Sequence, residues 1–271
     1  MLEAGDRVMN RDNWVKSMGL DVDGSLFVEI DNGIKLYDLC LNHALPDPVE
    51  IHPRDLMKIE NRPLYNRYLT TLNEIAGVML HPSYDARYRI RSGDIVVDAG
   101  ARIGTFSAKI SAAVGEKGKI IAIEPEPRNF ACLLKNIQAN NLTNVVAVPR
   151  MLWSREEQRD LYLSGYTAAH SAFFDEFYQA TGERIRVEAD SLDHILESLG
   201  IGTVDFIKMD IEGAEIEALE GMKSTLEAVG QMAIAAYHPV DGKLTHTVIM
   251  PQLEQLGFKT AYSDGIVHAQ R

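Results

Sequence analysis

Cysteine is scarce in this chain: Cys40 and Cys132 are the only two, far apart and in no metal-ligand spacing. A disulfide framework and a cysteine-held zinc site are both excluded. No run approaches the roughly 18 apolar residues of a membrane span. The N-terminus, MLEAGDRVMNRDNWVKSMG, has no apolar segment of a signal peptide. Free thiols without a leader read as a cytoplasmic protein. Positive charge is short as well: 27 Lys and Arg face 39 Asp and Glu, a net charge of −12. Such a surface repels a phosphate backbone, and Arg87, Arg89 and Arg91 are the nearest approach to a basic cluster. Nucleic acid is therefore not an expected partner, and contact with an anionic membrane is weakened. What is present is ordinary for a globular protein: 46% of the 271 residues are hydrophobic and 24% charged.

The chain divides near residue 90. Residues 1–90 are irregular. Two apolar runs flank Asp31-Asn32-Gly33, a hairpin signal. Leu72, Ile75 and Met79 continue a helical spacing that starts near Leu56. From Ser92 the pattern alternates. Ile95–Ala99, Lys119–Ile123, Val145–Val148, Val204–Met209 and Gln231–Tyr237 read as buried strands, with helices between them. The helix after the second strand carries Phe130, Leu133, Leu134 and Ile137 on one face, and Gly213–Leu226 reads as one helix. An aromatic-rich stretch, 162–178, resists assignment. The end, GFKTAYSDGIVHAQ, reads as two strands around a turn. Alternation of this kind implies a parallel sheet covered on both faces, and right-handed crossovers make it doubly wound. The closing hairpin adds an antiparallel strand.

Ligands of such sheets bind at the carboxyl ends of the strands. There the first strand gives Asp98-Ala99-Gly100-Ala101-Arg102-Ile103-Gly104, with Thr105 next. Gly100 would let a ligand approach the backbone, and Gly104 opens a helix whose N–H groups can meet a carboxylate or hydroxyl. The loop is not G-x-G-x-x-G, and a buried Asp98 repels a pyrophosphate but attracts an ammonium. Glu124, 20 residues after Gly104, ends the second strand before Pro125 and suits ribose hydroxyls. An adenosine carrying an amino acid meets these demands, and S-adenosylmethionine is such a molecule. Asp98, Gly100, Ala101, Gly104 and Thr105, with Glu124 and Pro125, are the residues expected to hold it. An NAD-dependent oxidoreductase shares the second-strand acid but lacks the glycine fingerprint here. A non-catalytic module that binds S-adenosylmethionine is the other alternative.

Three blocks resemble the FkbM family of S-adenosylmethionine-dependent methyltransferases. They are Ile95 to Ser107, Ile121 to Phe130, and Ser191 to His194 followed by Val204-Asp-Phe-Ile-Lys-Met-Asp-Ile-Glu-Gly-Ala-Glu215. The resemblance runs from about residue 90 to 260. It implies an α/β, doubly wound, seven-stranded Rossmann-like methyltransferase sheet with a C-terminal antiparallel hairpin. Residues 91–271 would form that domain, and 1–90 an N-terminal hairpin and helical extension acting as a cap or lid. It also implies O-methylation of a small molecule or glycan-like acceptor. Arg102 stands where the family often has Asn, and Ala236 where some members carry Glu. Tyr237-His238 with Asp241 resembles other members.

Lys208, Asp210, Glu212 and Glu215 gather at the end of the fourth strand. Alternate strand residues share a face, so Lys208 and Asp210 point the same way. Asp210 is read as the positioner of the acceptor hydroxyl, Lys208 as its companion, and His238 as the base that takes the hydroxyl proton. A divalent metal on Asp210 and Glu212 is the lesser reading, because no His or further carboxylate has the required spacing. No metal ligand is therefore assigned. His170, His194 and His246 read as exposed.

Overall fold

Four antiparallel strands open the described chain: β1 (Val15–Leu20), β2 (Leu26–Ile30), β3 (Lys35–Asp38) and β4 (Glu50–Ile51), in the order β3-β2-β1-β4. The computed structural model describes residues 14–38, 50–51, 62–80, 84–164, 170–173, 180–240 and 242–271. Cys40, Asp241 and Tyr166, Phe174, Phe177 and Tyr178 of the aromatic stretch lie outside them. β2 and β3 form the expected hairpin, and β1 extends it. Helix α1 (Arg62–Met79) lays Ile75 and Met79 on Met18, Leu26 and Ile30 of this small sheet.

The larger sheet follows. Strand β5 (Ile95–Ala99) leads to α2 (Thr105–Val114), β6 (Lys119–Ile123), α3 (Pro127–Ala139) and β7 (Val145–Val148). The chain then leaves this sheet. The segment that resisted assignment contains β8 (Met151–Leu152), β9 (Glu157–Ser164) and β10 (Ala180–Asp190), a three-stranded sheet in the order β8-β10-β9. After it come α4 (Leu192–Ser198), β11 (Phe206–Met209), α5 (Glu215–Glu220), α6 (Lys223–Ala228) and β12 (Gln231–Ala235). A two-stranded ribbon, β13 (Pro239–Val240) and β14 (Lys243–Leu244), precedes α7 (His246–Gln255). The chain ends in β15 (Lys259–Ser263) and β16 (Ile266–Gln270).

Seven strands order as β15-β16-β12-β11-β5-β6-β7, parallel except that β16 runs antiparallel to both neighbours. The doubly wound sheet and its closing hairpin are as expected. The central strands are buried on both faces, which is why they read as continuous apolar runs. Two helical readings need correction. Gly213–Leu226 is not one helix. It breaks between α5 and α6 at Gly221, where a Cβ would lie 2.2 Å from the Trp153 carbonyl oxygen. Leu134 is exposed. The face of α3 beside it is claimed instead by Asn136 and Asn140, one turn apart. Asn136 exchanges hydrogen bonds with Tyr37 N (2.6 Å) and O (2.9 Å), and Asn140 with Lys35 N (2.8 Å) and O (2.7 Å). Two side-chain amides thus imitate a strand and dock β3 on the helix, satisfying a sheet edge that would otherwise be open.

Candidate active site

The carboxyl ends of β5, β6 and β11 surround a cavity of about 230 Å³. Of the residues expected to hold the donor, Gly100, Ala101, Thr105, Glu124 and Pro125 line it; Lys208 and Asp210 join them from β11 and the loop beyond. Asp98, Gly104 and His238 stand behind the wall.

Asp98 is fully buried, and its partners are protein groups: Ser107 Oγ donates to it at 2.7 Å and Lys208 Nζ lies 3.0 Å away. The parallel register pairs Lys208 with Asp98 directly. Lys208 is therefore the companion of Asp98, not of Asp210. Its ammonium also donates to the carbonyls of Gly100 (2.8 Å) and Ala99 (3.2 Å), so it clamps the end of β5. Lys208, which also lines the cavity, is thereby tied to the loop that follows β5. Gly100 lines the cavity; it has φ +73°, and a Cβ there would lie 1.8 Å from the Asp210 carbonyl oxygen, so the chain itself also makes a close approach at this point. Gly104 has φ +83°, a Cβ would strike Leu133 at 2.5 Å, and its N–H is already bonded to Ala101 O at 2.7 Å.

Glu124 is 5% exposed. Its carboxylate accepts from Arg102 N at 2.9 Å, Glu126 N at 3.0 Å and Asn129 Nδ2 at 3.4 Å. A carboxylate offers about four acceptor sites, so one more donor can be met from the cavity. Burial pushes its pKa from 4.5 up to about 7, against the pull of those hydrogen bonds. Below 4.5 the group is protonated folded or unfolded; between 4.5 and 7 only the unfolded chain ionises. Stability therefore falls as pH rises through this window, by about 3 kcal/mol in all. Glu124→Gln is expected to remove that slope. Denaturant midpoints of the two proteins at pH 5 and pH 8 check it, and parallel pH dependences would contradict it.

The opposite wall is a linked acidic group. Tyr84 OH donates to Asp210 Oδ2 at 2.7 Å. Burial, then the Asp210 charge and this bond, raise the Tyr84 pKa well above its usual value. Asp210 Oδ1 is buried without a hydrogen-bond partner among the described residues and lies 3.8 Å from His238 Nε2. Glu212 Oε2 is 3.3 Å from the same nitrogen, and Glu215 Oε1 is 2.9 Å from His238 Nδ1. Glu212 holds φ +53°, uncommon outside glycine, while Ser171 Oγ grips its carbonyl at 2.6 Å. Burial raises the Glu212 pKa, and His238 opposes that rise. For His238, burial alone would lower the pKa, but Glu212 and Glu215 carry it up to about 10. The imidazole expected to act as the base is thus held among three carboxylates.

The sequence reading missed three groups of this wall. Tyr84 sits in an irregular segment with no spacing signal. His170, read as exposed, is half-buried and lines the cavity, accepting from Ser164 N at 3.0 Å through Nδ1, and burial lowers its pKa to about 4. Arg102, read as a neutral variation, reaches Asp38 of β3 at 3.2 Å and pairs with Glu74 of α1, binding the N-terminal unit to the donor loop.

Residues 98–260 match the family model described as the methyltransferase FkbM domain, more than half of the chain. The 31-O-demethyl-FK506 methyltransferase FkbM of Streptomyces tacrolimicus is 28% identical over 188 residues, covering 59% of this chain and 72% of that protein. Hexuronic acid methyltransferase AglP of Haloferax volcanii is 25% identical over 150 residues, 55% of this chain and 59% of its own. Among solved structures, methyltransferase FkbM from Methylobacillus flagellatus KT shares the fold with a TM-score of 0.52 at 15% identity, over 79% of this chain. This chain spans 56% of that structure. No helix among the described residues is long and apolar enough to cross a membrane.

Proposed function

Because the chain belongs to the FkbM family of methyltransferases, whose methyl donor is S-adenosylmethionine, we propose that it methylates a hydroxyl on a small molecule or sugar. The names of two relatives point that way: one specifies an oxygen as the methylated atom, the other a hexuronic acid. The observation that carries the reading is one cavity with two kinds of wall. Glu124 on one side suits ribose hydroxyls; Asp210 and Glu212 on the other suit an acceptor hydroxyl. Family membership sets aside an NAD-dependent oxidoreductase.

S-adenosylmethionine supplies an electrophilic methyl on a sulfonium. Glu124 accepts from the ribose, and Ala101, Thr105 and Pro125 shape the pocket around the adenosine. Asp210, fixed through its other oxygen by Tyr84, accepts the hydrogen bond of the acceptor hydroxyl and aims the oxygen. As the O–CH3 bond forms and the C–S pair returns to sulfur, the hydroxyl proton passes to the Asp210 carboxylate and then to water. His238, held by Glu215, keeps Asp210 and Glu212 in place. Much of the rate comes from this alignment, since donor charge is lost in the transition state.

Calorimetric titration with S-adenosylhomocysteine tests the donor wall. At pH 8, where Glu124 is ionised, Glu124→Gln should weaken binding about 10-fold or more, the worth of hydrogen bonds to a charged group. Asp210→Asn should bind S-adenosylhomocysteine as the wild type does, yet turn over about 100-fold or more slowly. A methyl-labelled donor, read by NMR, identifies the product as a methoxyl. Unchanged affinity in Glu124→Gln, or label on nitrogen or carbon, would overturn the proposal. A non-catalytic binding module predicts no measurable change in Asp210→Asn.

A further inference from the structure

The geometry points to a divalent transition-metal site formed by Asp210, Glu212 and His238. One ligand atom from each lies within 4.8 Å of the other two. His238 Nε2 stands 3.3 Å from Glu212 Oε2 and 3.8 Å from Asp210 Oδ1. Donor atoms about 2.1 Å from a shared ion are separated by roughly 3 to 4.2 Å. The three atoms are already near that spacing.

Each ligand also has the outer partner that metal sites require. Glu215, fully buried, takes the far side of the imidazole at 2.9 Å, which fixes the ring and turns Nε2 toward the two carboxylates. The same oxygen is placed by Ile211 N and Gly213 N, both at 3.3 Å. Tyr84 OH holds Asp210 Oδ2 at 2.7 Å and leaves Oδ1, buried and without a hydrogen-bond partner among the described residues, facing the histidine. The Glu212 backbone is held at positive φ with its carbonyl on Ser171. Three carboxylates surround one imidazole, and among the described residues no lysine or arginine forms an ion pair with any of them. A divalent cation there takes the place of the Nε2 proton and balances the carboxylates.

The donor set selects the class of ion. Two carboxylates are hard oxygen ligands, which magnesium and manganese accept. An imidazole disfavours magnesium, which prefers oxygen throughout, and suits first-row ions. Manganese(II) satisfies both, with zinc(II) as the nearest competitor. Asp210 and Glu212 line the cavity, so the ion's remaining positions face it. There an acceptor hydroxyl can become a ligand, and a metal-bound hydroxyl loses its proton more readily. This role rests on the O-methylation reading; the binding of the ion does not.

The test uses chelator-treated full-length protein titrated with manganese(II) chloride and followed by electron paramagnetic resonance. One equivalent is expected to bind, with nitrogen hyperfine modulation from an imidazole ligand. His238→Gln should lose that modulation and most of the affinity. Asp210→Asn should lose the affinity as well. Glu215→Gln, which leaves all three ligands, should weaken binding about 10- to 100-fold. S-adenosylhomocysteine affinity, measured on every variant, reports whether the fold persists. The inference is overturned if the wild type takes up neither manganese nor zinc, or if the variants keep S-adenosylhomocysteine binding and bind manganese as tightly as the wild type. Donor binding without metal binding would refute this site and leave the methyltransferase reading standing. One-site metal binding in a protein that methylates no hydroxyl would do the reverse.

Discussion

Gly100→Ala is expected to cost more than about 4 kcal/mol and to remove both donor binding and turnover in whatever fraction still folds. The added Cβ would lie 1.8 Å from the Asp210 carbonyl oxygen and 2.8 Å from its carbonyl carbon. The obstacle is backbone, so no rotamer change relieves it. Asp210 N also donates to Ala99 O at 3.0 Å, which ties the two strand ends together at this point. Making room means parting β5 from β11. That would pull Lys208 from the carbonyls of Ala99 and Gly100 and draw Asp210 away from Tyr84 and His238. Gly200→Ala is the matched control. It shares a positive φ, +67°, but has nothing within 4 Å of a Cβ, so only backbone strain of about 1–2 kcal/mol applies. Chemical denaturation of the two variants separates close approach from strain. Equal midpoints would show that the strand ends do not meet as described.

What could be read in the sequence beforehand were the features written locally. The buried strands of the large sheet are short apolar runs, and Glu124 sits at the end of one, beside a proline. Asp31-Asn32-Gly33 and Ser263-Asp264-Gly265 announce their hairpins by turn chemistry. The sheet β8-β10-β9 was also partly written: Ile185, Val187 and Ala189 alternate with Arg184, Arg186 and Glu188, and Arg184 and Arg186 face outward to Asp160. That period of two was obscured by the aromatic stretch before it. β1 hides because its burial is concentrated at one end, Met18 to Leu20.

The site was harder, because its contacts are made between distant residues. Asp210 and His238 are 28 positions apart and meet only because β12 lies beside β11. A search for metal ligands at fixed local spacing cannot see that. Asp98 illustrates a different obstacle. An acid at the end of a buried strand attracts any cation, and spacing alone does not say whether that cation is a ligand or a lysine. The neighbouring strand supplies the lysine in register. Arg102 and Asn136 were opaque for the same reason, since their partners belong to the N-terminal unit.

The buried pair itself is where the second large effect is expected. Lys208→Met should destabilise the protein by about 3–5 kcal/mol, because it leaves the Asp98 charge in a fully buried position where, among the described residues, Ser107 alone hydrogen-bonds to its side chain. Asp98→Asn should cost a comparable amount by leaving the ammonium, whose side chain is 6% exposed, without its counter-charge. The double variant should lose much less than the sum, by at least about 1.5 kcal/mol, since neither charge then remains. Thermal unfolding of the four proteins gives this coupling. Additive losses would mean that the two side chains do not depend on each other. Donor affinity should not follow stability. Lys208 also holds the carbonyls of Ala99 and Gly100, and no methionine replaces those bonds. The double variant should therefore regain stability but bind S-adenosylhomocysteine more weakly than the wild type. That split would place the pair's function in shaping the loop that holds the donor rather than in holding the sheet together.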